Sequence, residues 1–155
     1  SVKAGMAAIL GLAEDKIKDI CAQISAQGGT VQAVNFNCPG QIVIAGSTKA
    51  VEEAAAAMKE AGAKRAILLH VSAPFHSTLM EPAAKRLAEV LDDITISDAK
   101  IPVVANVNGQ IETSAADIKS NLVKQAASPV LWIDCTKTMQ AFGAETSSKS
   151  ARARP

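Results

Sequence analysis

Aromatic side chains are nearly absent from this sequence: Phe36, Phe75, Phe142 and Trp132 make up 3% of 155 residues, and there is no tyrosine. A core without large rings must be assembled from Ala, Val, Ile and Leu, and a surface without them has no platform for stacking nucleobases. Charge excess is missing too. The formal net charge is +1, which creates no field able to recruit nucleic acid or an anionic membrane. The three cysteines, Cys21, Cys38 and Cys135, are odd in number, far apart and without CxxC spacing. That pattern argues against a disulfide framework or a zinc site and fits a reducing compartment. No apolar run approaches the roughly 20 residues needed to span a bilayer, and Ser1 to Gly5 carries no signal-peptide apolar core. The expectation is a cytoplasmic protein with no nucleic-acid or membrane partner, no metal and no cofactor.

What the sequence does have is an alternation of strand and helix signals. Gly5 to Gly11 is a short apolar run bounded by glycines, the form of a buried strand. Ile17, Ile20, Cys21 and Ile24 then fall on the i, i+3, i+4, i+7 stripe of a helix over residues 13–27, stopped by Gly28-Gly29. Thr30 to Asn35 and Gln41 to Ala45 read as strands around the turn residues Asn37-Cys38-Pro39-Gly40. Ser47 or Thr48 can cap a second helix with inner face Val51, Ala54, Ala55 and Met58, ending at Gly62. Ala66 to Val71 is a further apolar run. The order β-α-β-β-α-β is the ferredoxin-like pattern. The expected fold class is α/β (α+β): a ferredoxin-like subdomain over residues 4–72, a second α/β segment over 73–143, and a tail over 144–155. In the second segment helices are expected over Pro82 to Asp92, Ala115 to Ala126 and from Ser128-Pro129 to about Phe142, with one strand from Ile101 to Val107. A lone strand cannot form its own sheet, so this segment reads as part of a layer completed elsewhere.

Two histidines are candidates for chemistry. His70 ends an apolar run and reads as an edge or tip residue. His76 lies in Ser72-Ala73-Pro74-Phe75-His76-Ser77, where proline rigidifies the entry and a helix starts soon after. A histidine at such a junction can present a ring nitrogen to a substrate, and a nearby helix N-terminus disfavours the imidazolium, as a general base requires.

Several blocks resemble the malonyl-CoA:acyl carrier protein transacylase family in order and spacing. They are Val34 to Gln41 (VNFNCPGQ) with Ile42 to Gly46 behind it, Gly62-Ala63-Lys64-Arg65-Ala66, Val71 to Met80 (VSAPFHSTLM), and Asn121 to Gln125 followed by Ser128-Pro129-Val130 and Trp132. The likeness runs from about Gly5 to Gly143. It implies an α/β-hydrolase-like acyltransferase segment after the ferredoxin-like one. It also implies a ping-pong reaction that moves a malonyl group from coenzyme A to a serine and on to the phosphopantetheine thiol of acyl carrier protein. On that resemblance His76 relays the proton, and the backbone carbonyl of Gln125 orients its ring and fixes its tautomer. Asn37 lines the malonyl-CoA pocket. Lys64 and Arg65 meet coenzyme A phosphates or the acidic carrier protein, and Phe75 accompanies malonyl preference.

The family's nucleophile stands in a GxSxG elbow, and no such motif occurs here. Gly46-Ser47-Thr48 lacks the second glycine. The resemblance also puts the family's carboxylate-binding arginine ahead of Ser1. The chain alone is therefore expected to be inactive, with an exposed apolar face of several hundred Å² that favours self-association. Glu145 to Arg154 is polar and aperiodic, as in a disordered tail. One choice of codons for it, read in another frame, spells Asn-Val-Phe-Glu-Ile-Gly-Pro-Gly-Lys, close to the strand and Gly-Pro-Gly turn of the family, which predicts a frameshift near Ala144 or an error in the sequence. Two other readings stand beside the enzyme: a non-catalytic module that docks acyl carrier protein, and an acyltransferase domain of a polyketide synthase.

Overall fold

The computed structural model describes residues 4–71 and 73–146; Ser72 and most of the expected disordered tail lie outside the described residues. The first half of the chain builds a four-stranded antiparallel sheet from β1 (Ala4–Leu10), β2 (Val31–Cys38), β3 (Gln41–Ser47) and β4 (Arg65–Leu69), in the order β2-β3-β1-β4. Helices α1 (Glu14–Ala26) and α2 (Thr48–Glu60) are the crossovers. This is the ferredoxin-like arrangement, in which each crossover leaves room for one strand of the other unit.

Alternation along the strands decides which face is closed. Ala7, Ile9, Val31, Phe36, Ile42 and Ile44 point at the helices and meet Ile17, Cys21, Val51, Ala54 and Met58, all buried. Small alanines on α2 let it lie close to the sheet, which replaces ring volume by proximity. Both helices stop with the same hydrogen-bond pair. Gly28 N–H and Gly29 N–H donate to Ser25 and Ile24 after α1, and Gly62 N–H and Ala63 N–H donate to Lys59 and Met58 after α2. With Gly28 at φ 93° and Gly62 at φ 104°, these are Schellman closures, which need a left-handed residue that glycine supplies without Cβ strain. On the opposite sheet face, Met6, Val34, Val43 and Ala45 form a second, smaller buried cluster with Ala8, Leu69 and Val71 against it.

Details differ from the sequence expectation. β2 runs on to Cys38, so Asn37 is a strand residue and only Pro39-Gly40 makes the turn. Ser47 occupies the N-cap position of α2 but its side chain makes no capping bond. β4 ends at Leu69, leaving His70 beyond the strand.

After a 3-10 turn at Thr78–Met80 come α3 (Glu81–Asp92), β5 (Val103–Val104), β6 (Ile111–Glu112), α4 (Ala115–Gln125) and α5 (Trp132–Ala141). The expected strand over 101–107 shrinks to two residues and is not alone: Val103 pairs with Glu112 and Val104 with Ile111. Helix formation also resumes later than Ser128-Pro129, because Val130 is spent on the sheet. Its N–H donates to Val34 (2.8 Å) and its carbonyl accepts from Phe36 N–H (2.9 Å), a single parallel bridge outside β2. α4 has the one side-chain N-cap described: Ser114 Oγ accepts from Asp117 N–H at 3.1 Å.

Candidate active site

The loop leaving β4 carries His76, and its backbone is unusual. His76 is the one described non-glycine residue at positive φ, 62°. A side chain in the left-handed region costs free energy and persists only where neighbours impose it. Here the loop ties itself together. Ser77 is buried at 1% exposure; its Oγ–H donates to the Pro74 carbonyl at 2.7 Å, and its backbone N–H reaches the same oxygen at 3.3 Å. Met80 N–H then closes the 3-10 turn on the Ser77 carbonyl at 2.9 Å.

The loop is also tied outward. His76 Nδ1 lies 3.0 Å from the backbone carbonyl oxygen of Gln125. A carbonyl can only accept, so the proton is on Nδ1 and, in the neutral ring, the lone pair is on Nε2. Nε2 makes no hydrogen bond among the described residues, and the ring is half-buried rather than sealed. The carbonyl belongs to the last turn of α4, where oxygens lack helical partners. The helix end that the ring meets is thus the C-terminus of α4, while the N-terminus anticipated from sequence, that of α3, follows the loop at Glu81. The Gln125 side chain turns away from the ring. Its Nε2 donates to the carbonyls of Ser128 (3.0 Å) and Pro129 (3.2 Å), so it holds the turn that delivers Val130 to β2.

A third tie had no sequence signal. Gln32 on β2 offers its amide oxygen to Thr78, accepting from the backbone N–H at 2.9 Å and the hydroxyl at 3.2 Å. A polar residue on a strand reads as an outward-facing position, and only the return of a loop 46 residues later makes it a partner. Ser77 belongs to the VSAPFHSTLM stretch, in which a serine carries no sign of burial.

The other candidates are not gathered at the ring. Lys64 and Arg65 are exposed, and neither has an acidic partner within salt-bridge range among the described residues. Arg65 pairs with Leu10 at one end of the sheet, whereas Leu69, which leads to the histidine loop, pairs with Met6 at the other. Four residues of strand separate them, about 13 Å. Lys64 instead drapes over Gly11, whose missing Cβ would lie 2.6 Å from the lysine Cγ. Asn37 is half-buried near the β2–β3 turn and its side chain makes no hydrogen bond among the described residues. Phe75 is 43% exposed beside His76. No group of three or more His, Cys, Asp or Glu that could hold a metal exists among the described residues, and no described helix is long and apolar enough to cross a membrane.

The fold is α/β, and the solved structures that it matches are acyltransferases, of whose domain this chain corresponds to a segment. The chain is 49% identical over 141 residues to malonyl CoA-acyl carrier protein transacylase of Bacillus subtilis (strain 168), covering 91% of this chain and 44% of that protein. Among solved structures, an acyl carrier protein S-malonyltransferase from Vibrio cholerae superposes with TM-score 0.89 at 48% identity, covering 92% of this chain and 46% of the other. A type II PKS acyl-carrier protein in complex with its malonyl-transacylase matches with TM-score 0.88 at 46% identity and the same coverage. No protein-family model matches the chain. The homologues of this chain are malonyl CoA-acyl carrier protein transacylases, and it spans less than half the length of the relatives it matches.

Proposed function

We propose that this chain supplies the proton-relay half of a malonyl-CoA:acyl carrier protein transacylase. The observation that carries the reading is the His76–Gln125 contact: a half-buried residue with its ring proton held on Nδ1 by a carbonyl and an Nε2 without a hydrogen-bond partner among the described residues. Such a ring can take a proton from a serine hydroxyl at Nε2 as the oxygen attacks the malonyl thioester. The imidazolium then gives that proton to the departing coenzyme A thiolate. In the second half the same nitrogen takes the proton of the phosphopantetheine thiol, the thiolate attacks the malonyl-serine ester, and the proton returns to the serine oxygen. Throughout, the Gln125 carbonyl keeps accepting from Nδ1–H, doing for the ring what a carboxylate does in a Ser-His-Asp triad.

In this reading residues 4–72 form the small subdomain and 73–143 part of the large one. The serine comes from a part of the whole enzyme that contains the elbow. Asn37 and Phe75 line the malonyl-CoA pocket. Lys64 and Arg65, exposed and without acidic partners in range among the described residues, serve the acidic carrier protein or coenzyme phosphates, and their distance along the sheet from the histidine loop favours a long or macromolecular substrate over the acyl group itself.

A graft tests this. Residues 5–143 replace the matching segment of the Bacillus subtilis relative, and malonyl transfer from coenzyme A to carrier protein is measured. We expect transfer by the graft, none by the 155-residue chain alone, and a loss of about 10²–10⁴-fold in kcat for His76→Ala. A graft that works equally well with His76→Ala overturns the assignment. Binding of carrier protein by the chain, with an inactive graft, favours a docking module instead.

A further inference from the structure

We propose that Gln32 is a positioning residue for His76, acting through Thr78; its catalytic meaning rests on the reading of His76 as the proton carrier. The bonds of Ser77 and Met80 lie within the loop and move with it, so they shape the loop without placing it. Two described side-chain contacts place it. One is the bond of the ring to Gln125, which a rotation about the side chain of His76 could break. The other is the double contact of Gln32 Oε1 with the N–H and hydroxyl of Thr78. Two donors on one oxygen fix Thr78, two residues beyond the left-handed His76, against translation and rotation together.

The base of that contact is rigid. Gln32 pairs with Ala45 within the sheet, and Ala45 pairs with Met6. The same strand holds the other side of the histidine contact. Val34 and Phe36 bind Val130 through the backbone, and the two residues before Val130 accept from the Gln125 side chain. One strand therefore sets both partners: Gln32 places the ring's loop, and the residues two and four further on place the carbonyl. The separation of Nδ1 from the Gln125 oxygen is a property of β2, although no residue of β2 touches the ring's Nδ1.

The test reads the tautomer, not the rate. The chain has two histidines, so ring nitrogen-15 spectra of the labelled protein resolve both, with His70→Gln assigning them. We expect the Nδ1–H form of neutral His76 to dominate. Gln32→Leu keeps the bulk and removes the acceptor; the ratio of Nδ1–H to Nε2–H forms should fall about three- to tenfold, the worth of one ordinary hydrogen bond. Gln32→Glu, which retains an acceptor oxygen, should restore it. Thr78→Pro carries the test if Gln32→Leu fails to fold. It removes both donors at the first position of the 3-10 turn, where proline is tolerated, after a Ser77 already extended at ψ 166°. An unchanged ratio in Gln32→Leu, or in Thr78→Pro where that variant stands in, overturns the proposal, as does failure of Gln32→Glu to restore it. Because no acyl transfer is needed, a tautomer shift beside an inactive graft rejects only the transacylase reading.

Discussion

The two halves of the molecule solve the burial problem differently. Up to Met58 nearly every inward position of sheet and helices is closed by another element of the same chain. Beyond it, Leu91, Ala105 and Cys135 are the only buried apolar residues described. Val90, Ile101, Leu122, Trp132 and Phe142 stand exposed on α3, α4, α5 and their links. Helices α3 and α4 nonetheless have apolar stripes, so their faces are patterned for a partner layer that the described residues do not provide. The first half is held by hydrophobic closure; the second is joined to it by the Gln32–Thr78 contact and the Val130 bridge to β2, with Leu131 and Ile133 packed against the first half's core. The candidate site lies on that seam, where geometry is set by a few polar contacts and a single substitution can move it.

If that contrast is right, Met58→Ala at 0% exposure should cost about 2–5 kcal/mol in urea unfolding, the range for a large side chain deleted from a closed core. A smaller loss would mean that the first half is looser than its packing implies. Burial pushes the Cys21 thiol up from 9.0 to about 12. Below pH 9 the thiol is protonated in both states and pH is without effect on this term. As pH rises from 9 towards 12 the unfolded chain ionises there while the folded one stays protonated, so stability should fall. Cys21→Ala should flatten that alkaline slope; an unchanged slope would assign it to other groups. At the seam, His76→Gly and His76→Ala both lose the ring, yet the glycine variant should be the more stable by about 1–2 kcal/mol, because alanine keeps the left-handed strain and glycine does not. Equal thermal midpoints would argue that the loop relaxes once the ring is gone. The smallest effect belongs to the open half: Phe142→Ala, at 66% exposure, should stay within about 0.5 kcal/mol. A larger loss would reveal packing for this helix end.

Legibility followed the same divide. The periodicities of α1 and α2 and their glycine stops are local and read correctly without knowledge of the rest, whereas the turn expected over Asn37 to Gly40 is shortened to Pro39-Gly40 because β2 runs on to Cys38. The strand over 101–107 and the helix restart at Ser128 were misjudged for a non-local reason: β-branched content predicts a strand only where a partner lies alongside, and Val130 gave up helical geometry for a bridge to a strand almost a hundred residues earlier. The histidine block was visible as a motif. Its left-handed backbone, the helix end it faces and the role of Gln32 were not.

By itself the sequence determined the element order of the first half, the composition of an aliphatic core and the presence of one histidine in a proline-led loop, because these depend on intrinsic preferences and on residues close in the chain. Only the tertiary structure decided which nitrogen of that histidine carries the proton. The deciding oxygen belongs to a residue 49 positions away, and its distance is set by a strand that belongs to neither.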